Sequence, residues 1–256
     1  MYRKGTRAWE MARRIFEESR PDVRPSEEQT WGMFIDAGAF HDQSVSLDWG
    51  SRVPGSGAPE SIMVAAVQSL ENRGYRVSDD GYRYLAEGLE AYSKRDFRRL
   101  HMISALLRRE LAAAEKDPGS DYWRYRFYST LEEFLGSVEF PEAVPVDVGG
   151  ASFREKVYAG WLSQLIGGAM GTMVEGYPSG KLLEAFGEVY DFLTEPNTYN
   201  DDTTYELAFL EAFQEKGYDV SPEDIALSWV GLIPSGWSAE EIAIRNIKNG
   251  IFPPES

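Results

Sequence analysis

The chain has 256 residues, 43% apolar and 13% aromatic, which is enough for a substantial hydrophobic core and excludes a disordered protein. It has no cysteine and two histidines, so disulfides are excluded and a zinc site of nitrogen and sulfur ligands is disfavoured. No apolar run approaches the roughly 20 residues that cross a bilayer, and no apolar signal core follows Met1. The sequence therefore predicts a soluble, cytoplasmic protein.

The net charge of -16 lies entirely in the second half of the chain. Residues 1–116 hold 18 basic and 18 acidic side chains, whereas residues 117–256 hold 8 basic and 24 acidic ones. Such a field repels nucleic acid and anionic small molecules unless bound cations offset it, and it favours divalent cations. We therefore expect neither nucleic acid nor a membrane as a partner. The simpler alternative is that acidic helix faces keep the protein soluble.

Helical periodicity recurs along most of the chain and strand alternation is nearly absent, so the predicted fold is all-α. In the first half, helices are predicted from Ser26 through Ile35, from Pro59 to Gly74, after the cap Ser78-Asp79-Asp80, from Leu100 to Ala114, and from Tyr122 to Leu135.

A break in this pattern runs from Phe140 to Ala151, where two prolines and two glycines indicate a linker. We therefore predict a helical N-terminal region at 1–145, of unknown role, and a second domain at 150–256. In that domain, helices are predicted from about Phe153, around 181–186, from Asp202 to Lys216, after Ser221-Pro222, and from the capping box at Ser238 to Gly250.

The helix predicted near Phe153 carries a stripe of small residues. They recur every four positions: Ala159, Ser163, Gly167 and Gly171. Glycine inside a helix costs roughly 1 kcal/mol, so the stripe needs a reason. One reason is close packing against another helix. The other is that Gly167, Gly168 and Gly171 leave room for a ligand beside Glu175.

The segment Asn200-Asp201-Asp202-Thr203 has two interpretations. Asn and Asp are favoured helix caps, and acidic residues complement the helix dipole, so the segment is typical of an ordinary helix start. Its oxygen atoms are also hard ligands, suited to Mg²⁺, Mn²⁺ or Ca²⁺. Because no Lys or Arg occurs between Lys181 and Lys216, the carboxylates lack a nearby basic residue in sequence. That absence favours a bound cation.

Two motifs coincide in order and spacing with those of a known family. Gly167 to Gly176 resembles the pattern G-D-A-x-G-x-x-x-E-G that opens the ADP-ribosylglycohydrolase family, and Asn200 to Thr203 resembles its T-D-D-T motif at a helix start. The segment from Trp237 to Pro254 looks like part of the longer, crystallin-like members. The resemblance covers roughly residues 152–256.

The resemblance implies an orthogonal all-α helix bundle with two Mg²⁺ ions, or Mn²⁺, in a central cleft. It implies hydrolysis of the N- or O-glycosidic bond that joins ADP-ribose to a protein or small acceptor. Asp201 and Asp202 would be metal ligands and Asn200 would occupy a third ligand position. Glu175 would orient or deprotonate the attacking water, and Gly167, Gly168 and Gly171 would border the cofactor.

The sequence also departs from the family pattern. Gly168 stands where the first motif has Asp, and Asn200 replaces a hydroxyl residue. The second acidic motif of the family, D-x-D-T/S, has no match after Thr203. We therefore expect a further segment or another chain to supply the remaining metal ligands.

Three functional hypotheses remain open from the sequence. The first is an active ADP-ribosylglycohydrolase, and the second is a non-catalytic module that binds ADP-ribose or a nucleotide, or acts as a scaffold, through a degenerate site. The third is a docking role for the N-terminal half. For its aromatic residues, burial in the core is expected rather than contact with a partner: Trp9, Trp31, Tyr82 and Tyr84.

Overall fold

A computed structural model describes residues 7–29, 31–196 and 200–256, with the side chain of Met33 left aside. The described residues form two compact units, 1–43 and 44–256. The domain boundary predicted at 145–150 stays a prediction. The fold is all-α, as the sequence predicts, and within the described ranges the strands are pairs of two-residue segments. None of the described helices is long and apolar enough to cross a membrane.

The first unit holds helix α1 (Ala8–Glu18), a 3₁₀ turn (Ser26–Glu28) and the first part of α2 (Trp31–Trp49). Its large apolar side chains face solvent. Trp9 and Trp31 are 58% and 66% exposed, so the expectation that they lie in a core is wrong. Every residue of α1 is exposed.

In the second unit, the elements before the predicted linker are the C-terminal part of α2 and the following helices and strands: β1 (Ser51–Arg52), β2 (Pro59–Glu60), α3 (Ile62–Asn72), β3 (Tyr75–Arg76), α4 (Asp79–Ser93), α5 (Phe97–Ala112), β4 (Glu115–Lys116) and α6 (Leu131–Leu135). Strands β1 and β2 form an antiparallel hairpin, and β3 pairs with β4.

A buried cluster joins α2 to α5. Trp49 is its largest fully buried residue, and its indole Nε1 donates a 2.7 Å hydrogen bond to Ser104 Oγ. The indole fits only because residue 88 is glycine, since a Cβ there would come within 1.9 Å of the Trp49 ring. Tyr84 packs against this cluster as predicted, whereas Tyr82 is 47% exposed, contrary to the prediction.

The elements from residue 150 onward are α7 (Ala151–Gly171), α8 (Ser179–Phe186), α9 (Asp201–Lys216), α10 (Pro222–Leu232) and α11 (Ser238–Lys248). A small core lies where α9, α10 and α11 meet. It contains Ala208, Ile233 and Ile244 and is flanked by Tyr205 and Trp229. This core fixes the start of α9 relative to the 233–238 segment.

Several local predictions need correction. Pro59 lies in β2 rather than at a helix start, and α3 is capped by Ser61, whose Oγ accepts from the Val64 N–H. The helix predicted from Tyr122 to Leu135 is instead a 3₁₀ turn at Asp121–Arg124 and the short α6. The predicted capping box at Ser238 does not form, because the N-cap position of α11 is occupied by Trp237 and Ser238 is already the first helical residue. Ser238 Oγ donates to Glu60 Oε1.

Candidate active site

One cleft of about 830 Å³ in the second unit is lined by three residues that the sequence predicts for the site: Glu175, Asn200 and Asp201. This volume is in the range of small-molecule binding sites, roughly 300–1,000 Å³. Its lining comes from the hairpin loop, the end of α7, the start of α9 and the segment before α11: Val53, Pro54, Gly55, Ala169, Thr172, Met173, Glu175, Thr194, Glu195, Pro196, Asn200, Asp201, Thr204, Tyr205, Ile233, Pro234, Ser235, Gly236 and Trp237. None of these described lining residues is Lys, Arg or His, so the cleft is acidic.

The start of α9 is a well-formed helix cap. Asn200 Oδ1 accepts hydrogen bonds from the Thr203 N–H at 3.3 Å and from Thr203 Oγ1 at 3.1 Å. Its Nδ2 donates to Asp202 Oδ2 at 3.2 Å. Asp201 lines the cleft together with Asn200, whereas Asp202 is not among the lining residues. Both carboxylates belong to exposed residues. The segment is therefore a cap that also presents a carboxylate to the cleft.

Gly168 and Asn200, the two departures from the family motifs, lie against each other. A Cβ built on Gly168 would come within 2.1 Å of Asn200 Nδ2. The amide of Asn200 therefore occupies the space that a side chain at residue 168 would need. A side chain at position 168 would therefore have to displace the amide of Asn200 from this cap conformation.

The small-residue stripe of α7 is not a packing surface among the described residues. Gly167 and Gly171 are exposed, and a Cβ on either would meet no described atom within 4 Å. Neither they nor Gly168 line the cleft. At this end of α7 the residues that line the cleft are Ala169, Thr172 and Met173. Side chains three and four positions apart lie on the same face of a helix. The assignment of the three glycines to cofactor binding stays a prediction.

Glu175 lies just past the end of α7 and lines the same cleft as Asp201. Partial desolvation raises the pKa of its carboxyl group, and the negative charges of Asp201, Asp202, Glu240 and Glu60 raise that pKa further. The structure thus brings Glu175 into electrostatic contact with the α9 motif, although about 25 residues separate them in sequence. A raised pKa at a cleft carboxylate is a common feature of functional sites.

Tyr205 is a further candidate that the sequence interpretation missed. Tyr205 is one of the residues that line the cleft, and its hydroxyl is buried and has no hydrogen-bond partner among the described residues. Burial, together with Glu240, Asp201 and Glu241, raises the pKa of Tyr205 to about 12, so the hydroxyl keeps its proton at neutral pH. Tyr205 follows Asp201 by four positions on α9, and that spacing was the available signal.

The described donor set in the cleft would suit one hydrated Mg²⁺ but falls short of a pair of ions. Within the described ranges, no group of three or more His, Asp or Glu side chains is arranged to hold a metal. Mg²⁺ often needs only one or two protein carboxylates and takes its other ligands from water and substrate phosphates, and Asp201 satisfies that need. Asn200 Oδ1 already accepts two hydrogen bonds as a cap. A second ion would require ligands from elsewhere, as the resemblance implies.

A comparison with known families found a similarity in the C-terminal part of this unit. Residues 150–256 match the ADP-ribosylglycohydrolase family. The predicted resemblance is thereby confirmed, and the match contains α7 to α11 with Glu175, Asp201 and Tyr205. No curated protein and no solved structure matched the chain. The match does not reach the hairpin residues that close the cleft on one side, and no motif in the sequence predicts their involvement.

Proposed function

We propose that this chain hydrolyses the N- or O-glycosidic bond between ADP-ribose and a protein or small acceptor, in a reaction that depends on Mg²⁺. The family match supports hydrolysis of ADP-ribose linkages as the general activity. The observation that carries the assignment to this cleft is that Glu175 and Asp201, from the two family motifs, line it together.

Glu175 is the proposed group that orients water and accepts its proton. Its raised pKa makes the ionised carboxylate a stronger base than an ordinary Glu. Attack of water at the anomeric carbon forms the new C–O bond, and the bond to the acceptor breaks. The acceptor leaves with the electron pair of that bond and takes a proton from solvent. Cleavage of this kind passes through an oxocarbenium-like transition state, which the surrounding negative charge of Asp201 and Glu195 would stabilise.

Tyr205 and Asp201 are the proposed substrate-binding groups. The protonated Tyr205 hydroxyl can donate a hydrogen bond to a ligand oxygen in the cleft. Asp201, and Asp202 after a change of side-chain conformation, would hold Mg²⁺. When bound, Mg²⁺ supplies positive charge that offsets the repulsion between the acidic cleft and the diphosphate of ADP-ribose.

The test is release of free ADP-ribose from defined conjugates, measured by mass spectrometry. Peptides carrying ADP-ribose on a guanidine nitrogen and on a hydroxyl oxygen are incubated with the full chain, in Mg²⁺ or in EDTA. We expect release from at least one linkage with Mg²⁺ and its loss in EDTA. Failure to release ADP-ribose from either linkage, with a folded protein and saturating Mg²⁺, would overturn the proposal.

The alternative is a non-catalytic module that binds ADP-ribose or a nucleotide through a degenerate site. The contact between Gly168 and Asn200 favours it, because the space next to the first motif is filled by an amide rather than a carboxylate. Calorimetric titration separates the two proposals. Binding of ADP-ribose with no turnover of either conjugate supports the binding module, whereas turnover excludes it.

A further inference from the structure

The β1–β2 hairpin, residues 51–60, lies outside the matched region and forms one side of the cleft. Its strands pair Ser51 with Glu60 and Arg52 with Pro59. The turn is closed by hydrogen bonds from the Val53 N–H to Ala58 O at 2.9 Å and from the Gly57 N–H to Val53 O at 2.8 Å. Three turn residues face the cleft: Val53, Pro54 and Gly55.

The hairpin turn packs directly on the end of α7. A Cβ on Gly55 would lie 2.3 Å from Thr172 Cγ2 and 2.6 Å from Thr172 O, so the hairpin backbone approaches this helix as closely as only glycine allows. On the other side of the contact, Gly176 has φ +79°, and a Cβ there would lie 3.0 Å from Ala58 Cβ. One glycine on each element thus permits the contact.

The other end of the hairpin is bonded to the segment that begins α11. Glu60 Oε2 accepts a 2.8 Å hydrogen bond from Trp237 Nε1, and Glu60 Oε1 accepts a 3.1 Å bond from Ser238 Oγ. Ser238 adopts φ +52°, a left-handed conformation that is uncommon for serine. Trp237 itself lines the cleft. One carboxylate therefore joins the hairpin to a cleft-lining aromatic residue about 180 positions later.

We propose that the 51–60 hairpin is a specificity-determining wall of the cleft and that Glu60 is its positioning residue. Glu60 holds the hairpin and Trp237 at a fixed separation, so the width of the cleft depends on it. The consequence for substrate rests on the proposed function: the N-terminal half of the chain then contributes to recognition of ADP-ribose conjugates by the family-matched region.

Three variants of the full chain separate the effects of the two hydrogen bonds. Glu60→Ala removes both acceptors, Glu60→Gln keeps one acceptor oxygen, and Ser238→Ala removes one donor while leaving Glu60 unchanged. Glu110→Gln is the matched control, because Glu110 also accepts a hydrogen bond from a sequence-distant serine, Ser78 Oγ at 3.1 Å, and does not line the cleft.

The first readout is hydrogen exchange of the hairpin amides, which does not depend on any ligand. Val53 and Gly57 amides are expected to exchange faster by about tenfold in Glu60→Ala and by less in Glu60→Gln and Ser238→Ala. Glu110→Gln should leave them unchanged. Equal exchange rates of the hairpin amides in Glu60→Ala and in the parent protein would overturn the positioning role of Glu60. If Glu60→Ala fails to fold, the exchange rates in Glu60→Gln and Ser238→Ala test that role instead.

The second readout is ADP-ribose affinity by calorimetry and, with a conjugate, KM against kcat. Glu60→Ala should weaken binding and raise KM by about tenfold, with kcat changed by no more than about twofold, and Glu60→Gln should restore part of the affinity. An ADP-ribose affinity of Glu60→Ala equal to that of the parent protein would overturn the proposal that the hairpin is a wall of the binding cleft. If the parent protein neither binds ADP-ribose nor releases it from a conjugate, the proposed function and the substrate role of the wall are overturned. Hydrogen exchange still decides whether Glu60 positions the hairpin.

Discussion

The side-chain nitrogen of Asn200 occupies the space that a Cβ on Gly168 would need, at 2.1 Å from its ideal position. This contact links the two positions at which the chain departs from the family motifs. It also predicts that substitutions at the two positions are not independent.

Gly168→Ala tests this coupling. Alanine normally stabilises a helix interior by roughly 0.5–1 kcal/mol relative to glycine, but here it would displace Asn200 and disturb the α9 cap, which costs about 1 kcal/mol. We expect no net gain in the parent protein and a gain in the Asn200→Ser background, where the smaller cap residue leaves room. Gly167→Ala is the control, since its Cβ meets no described atom within 4 Å, and it should stabilise both backgrounds. Additive urea-unfolding free energies for Gly168→Ala and Asn200→Ser would contradict the contact.

Asp201→Asn should separate the ligand role from the cap role. The variant is expected to lose Mg²⁺-dependent turnover and to lose only about 0.3–1 kcal/mol of stability, the usual worth of an acidic residue in a first helical turn. Asp79→Asn is the matched control, because Asp79 follows the Ser78 cap at the start of α4 as Asp201 follows Asn200. Isothermal titration with Mg²⁺ and thermal unfolding provide the two measurements. If the two variants change Mg²⁺ affinity equally, Asp201 has no role as a metal ligand and only stabilises the start of α9.

Glu175→Gln should lower activity and raise stability at neutral pH. Loss of a general base reduces kcat by about 10²–10⁴. Because the folded-state pKa of Glu175 is raised, its ionisation costs stability as the pH rises through the pKa, and the neutral Gln removes that cost. For so exposed a group the rise in Tm is on the order of 1 °C at pH 7. It should vanish below about pH 4, where an ordinary Glu is protonated in both states.

The control for that substitution is Glu211→Gln, at an exposed position on α9. It is expected to change stability by less than about 0.5 kcal/mol at either pH and to leave turnover unchanged. A Glu175→Gln variant that is less stable at pH 7 than at pH 4, relative to the parent protein, would contradict the sign of the pKa shift.

Tyr205→Phe tests the unpartnered hydroxyl. Removing a buried polar atom that has no partner among the described residues should leave the free protein as stable or slightly more stable. If the hydroxyl donates to a ligand, ADP-ribose affinity should fall about fivefold, the effect of losing one hydrogen bond of about 1 kcal/mol. Calorimetry of the two proteins gives the comparison. Unchanged affinity would assign Tyr205 to the small core around Ala208 and Trp229 alone.

The helices and the cap at Asn200 could be predicted because both depend on local sequence. Ser78-Asp79-Asp80 and Asn200-Asp201-Asp202 do begin helices, and Gly74 and Gly250 adopt positive φ where helices end. The prediction that Pro59 begins a helix is wrong, because proline is tolerated both in a first helical turn and in an edge strand such as β2. The cytoplasmic location and the identity of the metal stay predictions.

The composition of the cleft could be predicted only in part. Glu175 and Asp201 carry motif signals, whereas the part played by Val53, Pro54 and Glu60 depends on tertiary contacts with α7 and Trp237 that have no local periodicity. The prediction that aromatic residues are buried is wrong for Trp9, Trp31 and Tyr82. An amphipathic pattern predicts that a helix has an apolar face, but it does not predict which element covers that face.

The central claim is that this cleft directs water to the anomeric carbon of a bound ADP-ribose conjugate. The most direct measurement is turnover in H₂¹⁸O with Mg²⁺, followed by mass spectrometry of both products. We predict that ADP-ribose carries the label at its terminal ribose, that the acceptor carries none, and that Asp201→Asn abolishes the labelled product. Intact conjugate in the parent protein, or label found on the acceptor, would contradict the claim.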